Sequence, residues 1–369
     1  MKLFFKRIMA VVLTGVLSLS LFSGCSEKVM YDMMYDKYTG TIWDSFDTII
    51  SIVSYQKSQA DFDEFMDTAQ SEYTRLNQLY DIYNNYPDLN NAKTINDNAG
   101  IAPVKVSEDL FNLIEFSIDW YHKTDGKVNI AMGSVLKIWH DVRSAAEFNT
   151  PVLPEMSKLE AANEHTSIDN IVLDRENMTV YISDPKASID LGAVAKGYAT
   201  ELIASKLAET YDSFAISAGG NVKVIGAPKD GRTRWGIGIQ NPAVDANYNM
   251  VGGNLDLAYV ANGSSLVCSG GYQRFFVLDG KRYHHLIDPE TLYPKNTYLG
   301  VTILCDDSGI ADVLSTSIFM LDEQEALDFI DTIPDAECII VLNDGTVKNT
   351  KGFENYLESF GITSKTPLE

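Results

Sequence analysis

Hydrophobic and polar positions along this chain follow two different periods, and the switches between them mark out its elements. Residues 47–55, DTIISIVSY, read as a strand, and over 58–81 the apolar residues Phe62, Phe65, Met66, Tyr73, Leu76 and Leu79 predict an amphipathic helix. An Asn- and Asp-rich loop runs to residue 98. Ser107, with Glu108 and Asp109 behind it, then caps a second helix reaching about Tyr121. A short helix is expected near 155–164, a hairpin in IDNIVLDRENMTVYIS, and after it a strand-to-helix junction in IDLGAVAKGYATELIASKL, residues 189–207. Turn signals at Asn262-Gly263, Asp279-Gly280 and Asp344-Gly345 separate further strands, interrupted by helices at 309–321 and after Glu323. There is no regular β-α-β alternation and no short repeat. The pattern predicts an α+β fold in which helices pack against antiparallel hairpins, and it argues against a solenoid.

The first residues fall outside that pattern. Lys2, Lys6 and Arg7 precede an apolar run over 8–22 that is short for a membrane span, and LFSGC closes it at Cys25. Small residues directly before a cysteine resemble a bacterial lipoprotein signal, with Phe22 as a departure where such signals more often carry Leu. An uncleaved anchor or an ordinary secretion signal fits the same residues. Either way the protein is expected outside the cytoplasm and at a membrane. The predicted organisation is a signal peptide over 1–24, a lipidated tether over 25–40 without clear period, and a single domain over 41–365.

With 369 residues, 45% of them hydrophobic, the chain can bury a substantial core. Its net charge of −22 excludes a nucleic-acid binder and weakens any contact with anionic headgroups, so membrane contact is expected through the acyl chain on Cys25. Cys268, Cys305 and Cys338 show no C-x-x-C spacing and read as apolar filler.

Several stretches carry candidate chemistry. At the junction, Asp190 can cap the helix, Gly192 lets the backbone turn, and the unpaired amides with Lys196 favour an anion such as phosphate; the same residues also suit a simple capped helix with a surface lysine. In GIADVLSTSIFML, Asp312, Ser315 and Thr316 form one polar stripe on an otherwise apolar helix. A carboxylate and a hydroxyl one turn apart suit a hard cation, Mg²⁺ completed by phosphate oxygens, although capping and back-bonding to the helix explain the stripe as well. In GKRYHHLIDPETLYP, His284 and His285 are adjacent, so on a strand one faces a given site and the other does not; the one facing it could act as general base or bond a phosphate. Gly219-Gly220 and Gly270-Gly271, the latter followed by Tyr272 and Arg274, can let a flat ligand lie against bare backbone, or can be ordinary turns.

Taken in order, DLGAVAKGYATE, GGNV, SGGYQRFF, GKRYHHLIDP and ADVLSTSIFML resemble the motifs of the ApbE family, the FAD:protein FMN transferases once called thiamine-biosynthesis lipoproteins. The likeness extends upstream through RLNQLYDIYNN, TINDNAG and GKVNIAMGSVLKIWH, and covers nearly all of the chain from about residue 40. It implies an ApbE-type, T-fold-like architecture with a flavin cleft. It also implies FAD as substrate, with Mg²⁺ on its pyrophosphate, and transfer of the FMN half to a Ser or Thr hydroxyl of a target protein with release of AMP. Carried onto matching positions, the metal ligands are the Ala193 carbonyl, the Asp312 carboxylate and the Thr316 hydroxyl. His284 or His285 would take the hydroxyl proton or support Asp312. Asn129, Met132, Lys196, Gly219, Gly220, Tyr272 and Arg274 are the expected cofactor-binding residues, while Trp139 is expected to pack in the core.

Two departures stand out: Leu292 follows Thr291 where relatives commonly have glycine, and Gly271 and Gln273 stand where many relatives carry acids. Neither touches the expected metal ligands. The acceptor sequence implied by the resemblance, Ser/Thr-Gly-Ala-Ser/Thr, is absent from this chain, so the acceptor is expected to be another exported or membrane flavoprotein. Two alternatives share the same residues: a Mg²⁺-dependent FAD pyrophosphatase giving FMN and AMP, and a flavin-binding lipoprotein without catalysis.

Overall fold

A computed structural model describes residues 34–245, 248–272 and 274–367. The signal peptide, Cys25, most of the tether and Gln273 lie outside the described residues. Strands β1 (Asp36–Ser45) and β2 (Thr48–Gln56) form a hairpin whose turn residues Phe46 and Asp47 both take positive φ, 54° and 49°. Asp36 to Gly40, assigned to the tether from sequence, therefore belong to an edge strand. Helix α1 (Gln59–Tyr80) follows where the apolar spacing predicted a helix, and the Ser58 side chain caps it by accepting a hydrogen bond from the Asp61 N–H.

The chain continues through α2 (Ala92–Asp97), β3 (Val104–Lys105), α3 (Glu108–Lys123), α4 (Gly133–Ala146) and α5 (Met156–Asn163). Ser107 occupies the N-cap position of α3, but its side chain makes no capping bond; Glu108 and Asp109 in the first turn instead complement the positive end of the helix dipole. Next come β4 (Ile171–Asp174), β5 (Thr179–Ile182), α6 (Ala195–Ala208), β6 (Phe214–Ala218), β7 (Asn221–Ile225), β8 (Trp235–Gln240), β9 (Asn254–Val260) and β10 (Ser265–Gly270). The last elements are β11 (Phe275–Leu278), β12 (Lys281–His284), β13 (Tyr298–Cys305), α7 (Ser308–Met320), α8 (Glu323–Ile330), β14 (Glu337–Leu342) and β15 (Val347–Asn349).

Eight strands form one antiparallel sheet in the order β1-β2-β6-β7-β10-β13-β14-β15. Its central strands are buried on both faces, which is why they read as continuous apolar runs. In β14, Cys338 and Ile340 point into the helix-side core with α1, α6 and α7, while Ile339 and Val341 pack on the other face against Trp235, Phe353 and Leu357. Asn262-Gly263 links two sheets and closes no hairpin, because β9 pairs with β8 and β10 with β7 and β13. A third cluster joins α4 and α5 to the β11–β12 hairpin through Met132, Val135, Trp139, Phe276, Tyr283 and Leu292. The cleft lies between this cluster and the α6–α7 pair. Among the described residues no helix is long and apolar enough to cross a membrane.

Candidate active site

The junction predicted to bind an anion begins α6, whose N-cap position is Val194, a residue with no side chain able to cap. Asp190 does not cap this helix: its Oδ1 accepts the Gly192 N–H at 2.8 Å, closing a turn before the helix starts. The first-turn N–H of Gly197 is instead met by Asp312 Oδ2, at 2.8 Å, from a helix 115 residues away in sequence. Glycine is required there. A Cβ at 197 would lie 2.2 Å from the Ser308 carbonyl oxygen and 2.4 Å from Asp312 Cβ. The helices therefore touch backbone to backbone, and that contact sets Asp312 against the start of α6. Asp312 is 3% exposed, with Lys196 Nζ 3.8 Å from its Oδ2.

Thr316 stands one turn further along α7, and Ala193 lies on the facing loop; Asp312, Thr316, Ala193 and Lys196 all line a cavity of about 410 Å³. Ser315, the third member of the stripe, is occupied structurally: its hydroxyl contacts Ser269 Oγ at 2.7 Å and donates to the Asp312 carbonyl at 2.9 Å. Among the described residues no cluster of three or more His, Cys, Asp or Glu is formed. The expected ligands among the lining residues, Asp312, Thr316 and Ala193, offer one carboxylate, one hydroxyl and one carbonyl. That all-oxygen set fits Mg²⁺, which completes its octahedron with water and phosphate oxygens and does not require a cage of side chains.

The histidine pair separates as strand alternation requires. His285 lines the cleft and leaves Nδ1 without a hydrogen-bond partner. Burial, then the charges of His284, Arg274, Arg143 and Lys196, push its pKa down to about 3, so the ring is neutral at pH 7. His284 turns away. It is 2% exposed, packs edge-on against Phe319 at 5.7 Å, and its Nδ1 accepts the Leu286 N–H at 3.2 Å; burial lowers its pKa to about 4. The catalytic expectation for His284 is thus corrected by its burial behind the cleft wall.

The flavin-side expectations divide in the same way. Asn129, Met132, Gly219 and Arg274 line the cleft, whereas Gly220 and Tyr272 are not among its walls. Asn129 is held by its own bonds, donating to the Thr166 carbonyl at 2.9 Å and accepting from the Ala131 N–H at 2.8 Å. Tyr272, 6% exposed, lies over Gly270, where a Cβ would meet its ring at 2.0 Å. Gly271 is equally constrained, since a Cβ there would lie 2.4 Å from the His284 ring, so this position cannot carry an acidic side chain without moving that histidine. Trp139 packs as expected, its Nε1 donating to the Leu292 carbonyl at 2.8 Å, and its edge reaches the cleft. Leu292 itself holds φ 59°, the backbone that glycine favours, with its side chain buried.

Sequence reasoning missed Asp47, Thr48, Tyr83, His140 and Arg143 on the cleft walls. The last two share a face of α4 with Met132, Leu136 and Trp139, at spacings of three and four that would have exposed them had this helix been predicted. Tyr83 lies 5.3 Å from the His140 ring. Burial, followed by repulsion from Arg274, lowers the pKa of Arg143, while burial raises that of Asp190.

Cations from three segments, a neutral histidine and an oxygen donor set around a helix start make this an enzyme cleft suited to a phosphate-bearing substrate. The sequence model of the ApbE family matches residues 46–340, and the chain belongs to that family. A FAD:protein FMN transferase of Klebsiella pneumoniae is 32% identical over 254 residues, 67% of this chain and 75% of the relative. One of Treponema pallidum is 29% identical over 295 residues, covering 76% and 78%. The crystal structure of the ApbE protein of Thermotoga maritima superposes with a TM-score of 0.73 at 28% identity, covering 87% of this chain and 99% of that one. The flavin transferase ApbE of Vibrio cholerae, at 20% identity and a TM-score of 0.72, shares the fold. The α+β architecture expected from sequence is the one these structures have.

Proposed function

We propose that this enzyme is a flavin transferase that moves the FMN half of FAD to a Ser or Thr hydroxyl of an exported or membrane flavoprotein and releases AMP. The observation that carries the reading is the convergence of Ala193, Lys196, His285, Asp312 and Thr316, from three separate segments, on one cleft. The names of the relatives point the same way.

In this reaction the acceptor oxygen forms a bond to the phosphorus of the FMN half, the bond from that phosphorus to the bridging oxygen breaks, and AMP leaves with the electron pair. Such transfers need charge neutralised and the nucleophile held in line. Mg²⁺, on the Ala193 carbonyl, the Asp312 carboxylate and the Thr316 hydroxyl, would neutralise phosphate oxygens. Lys196 would bind the same pyrophosphate, and Gly219 would let the substrate approach bare backbone. The unpartnered Nδ1 of His285 is available to accept the hydroxyl proton. Its basicity would rise once an anionic substrate offset the cations that depress it.

The enzyme is proposed to work on the extracytoplasmic face of a bacterial membrane, held by an acyl chain on Cys25. The test combines purified protein, FAD, Mg²⁺ and an exported domain bearing Ser/Thr-Gly-Ala-Ser/Thr, with mass spectrometry on the acceptor and chromatography for AMP. An FMN-sized increment lost with EDTA and with Asp312→Ala is expected. AMP and free FMN without modified acceptor would instead make the protein a FAD pyrophosphatase, and bound FAD with neither product a flavin-binding lipoprotein. In the same expression strain, Cys25→Ser should shift the protein from the membrane to the soluble fraction; unchanged membrane retention would refute the anchor.

A further inference from the structure

Beyond Arg274 the cleft opens into a second cavity of about 630 Å³, and the two share Asp47, Tyr83, His140, Arg143 and Arg274. The outer walls of this cavity are the C-terminal end of α4, with Ser144 and Ala146, and three consecutive residues of β11, Phe275, Phe276 and Val277. Successive strand side chains point to opposite faces, so a cavity that touches three in a row meets the strand along its edge.

That edge is unpaired. β11 pairs with β12 through a two-residue turn at Asp279 and Gly280, with φ of 48° and 71°. In a hairpin of this type the flanking residues, Leu278 and Lys281, exchange hydrogen bonds, so Phe275 and Val277 direct their N–H and C=O groups away from β12. Among the described residues no backbone hydrogen bond from outside the hairpin reaches them. A free strand edge beside an open groove is a template for an added strand.

We propose that this groove receives the acceptor protein as an extended segment. The segment pairs along the outer edge of β11, and its Ser or Thr hydroxyl passes Arg274 into the cleft. The proposal rests on the transferase reading, which requires a macromolecular hydroxyl to reach the interior of a narrow site. An extended chain is the slimmest form of polypeptide that can do so, and pairing through the backbone holds it whatever its side chains. The groove carries both signs of charge, Arg143 and Arg274 beside Asp47 and Glu147, which suits a segment without strong net charge. Arg143 hydrogen-bonds His140 Nδ1 at 3.2 Å, and Arg274 donates to the Asp47 carbonyl at 3.1 Å with the Asp47 carboxylate 4.0 Å away.

Two variants test this without touching the cleft. Val277→Pro removes one outward N–H at a position where an edge strand tolerates proline, and Ala146→Trp narrows the groove from the α4 side. With the full-length protein and the same acceptor domain, each should raise the KM for acceptor, Val277→Pro by about three- to tenfold, the value of one backbone hydrogen bond. FAD affinity, read by flavin fluorescence, should stay within about twofold of the parent if the lost contact is to the acceptor alone. Unchanged acceptor KM in both variants would overturn the proposal. So would a loss of FAD affinity equal to the rise in KM, because the groove would then serve the flavin. If the parent enzyme modifies no acceptor at all, the transferase reading fails first and this inference falls with it.

Discussion

Replacing Gly197 by alanine should damage activity out of proportion to stability. The added Cβ would sit 2.2 Å from the Ser308 carbonyl oxygen and 2.4 Å from Asp312 Cβ. Carbon atoms in contact rest about 3.5–4.0 Å apart, so α6 and α7 must separate locally by roughly 1–1.5 Å. Neither neighbour is the tip of a flexible side chain. One is backbone at the start of α7, and the other is the Cβ of the carboxylate assigned to the metal. Overpacking of this kind costs about 1–3 kcal/mol, a fraction of the stability expected for a domain with so extensive a core. The same displacement lengthens the 2.8 Å bond from the Gly197 N–H to Asp312 Oδ2 and carries Asp312 and Thr316 away from Ala193. A misplacement near 1 Å in a phosphoryl-transfer site is enough for a loss of about 100-fold in kcat/KM. The assay is the rate of acceptor modification as a function of Mg²⁺, with a thermal melt alongside. The expected result is a large loss of kcat/KM, a higher Mg²⁺ concentration at half-saturation and a melting temperature lower by only several degrees. A variant with parental kcat/KM and parental Mg²⁺ dependence would refute the idea that this helix contact holds the site.

Acid should destabilise the protein before its carboxylates titrate. The pKa of His284 in the folded protein, about 4, lies below its ordinary value near 6.5, so the unfolded chain takes up the proton first and stability falls as pH drops through that window. The loss is about 2 kcal/mol at pH 5, and His285, whose pKa of about 3 lies lower still, adds a loss of similar size. Thermal melts at pH 7 and pH 5 should therefore differ more for the parent than for His284→Gln; equal pH dependence in the two would reject this origin. At Leu292, changing to glycine relieves a left-handed backbone worth about 1 kcal/mol but empties a side-chain site in the Trp139 cluster worth about 2–4 kcal/mol. Urea denaturation should show a net loss of stability, and a stabilised variant would mean that backbone strain outweighs packing there.

Most of what the sequence made legible was local. The helix over 58–81 and the polar stripe at Asp312 and Thr316 follow from side-chain periodicity, which adjacent residues settle by themselves. Strand β1 was hidden because an edge strand buries too little to alternate cleanly: Trp43 on it is 61% exposed. Helix α4 was hidden because its cleft-facing stripe mixes Leu136 and Trp139 with His140 and Arg143, so the polar residues that matter to the site break the apolar pattern that would have revealed the helix. For the histidines, alternation showed that one must be excluded, but which one depended on Phe319, a residue of α7 supplied by tertiary packing.

The Asp312–Gly197 contact lies between these cases, and it shows how a long-range pair can be inferred. A helix whose N-cap is valine leaves first-turn N–H groups that no neighbouring side chain satisfies, and buried donors do not stay unpaired. A glycine in that first turn admits close approach by another element. An aspartate on a distant, otherwise apolar helix is itself expensive to bury without donors. The missing cap emerged only from the structure, since Asp190 was the cap expected from sequence, whereas the first-turn glycine and the aspartate on an apolar helix are visible in the sequence; each deficiency is the remedy for the other. The pairing that satisfies both also places a carboxylate at the positive end of a helix dipole, one helical turn from the Thr316 hydroxyl, where the two can serve the metal-bound phosphate of the proposed reaction.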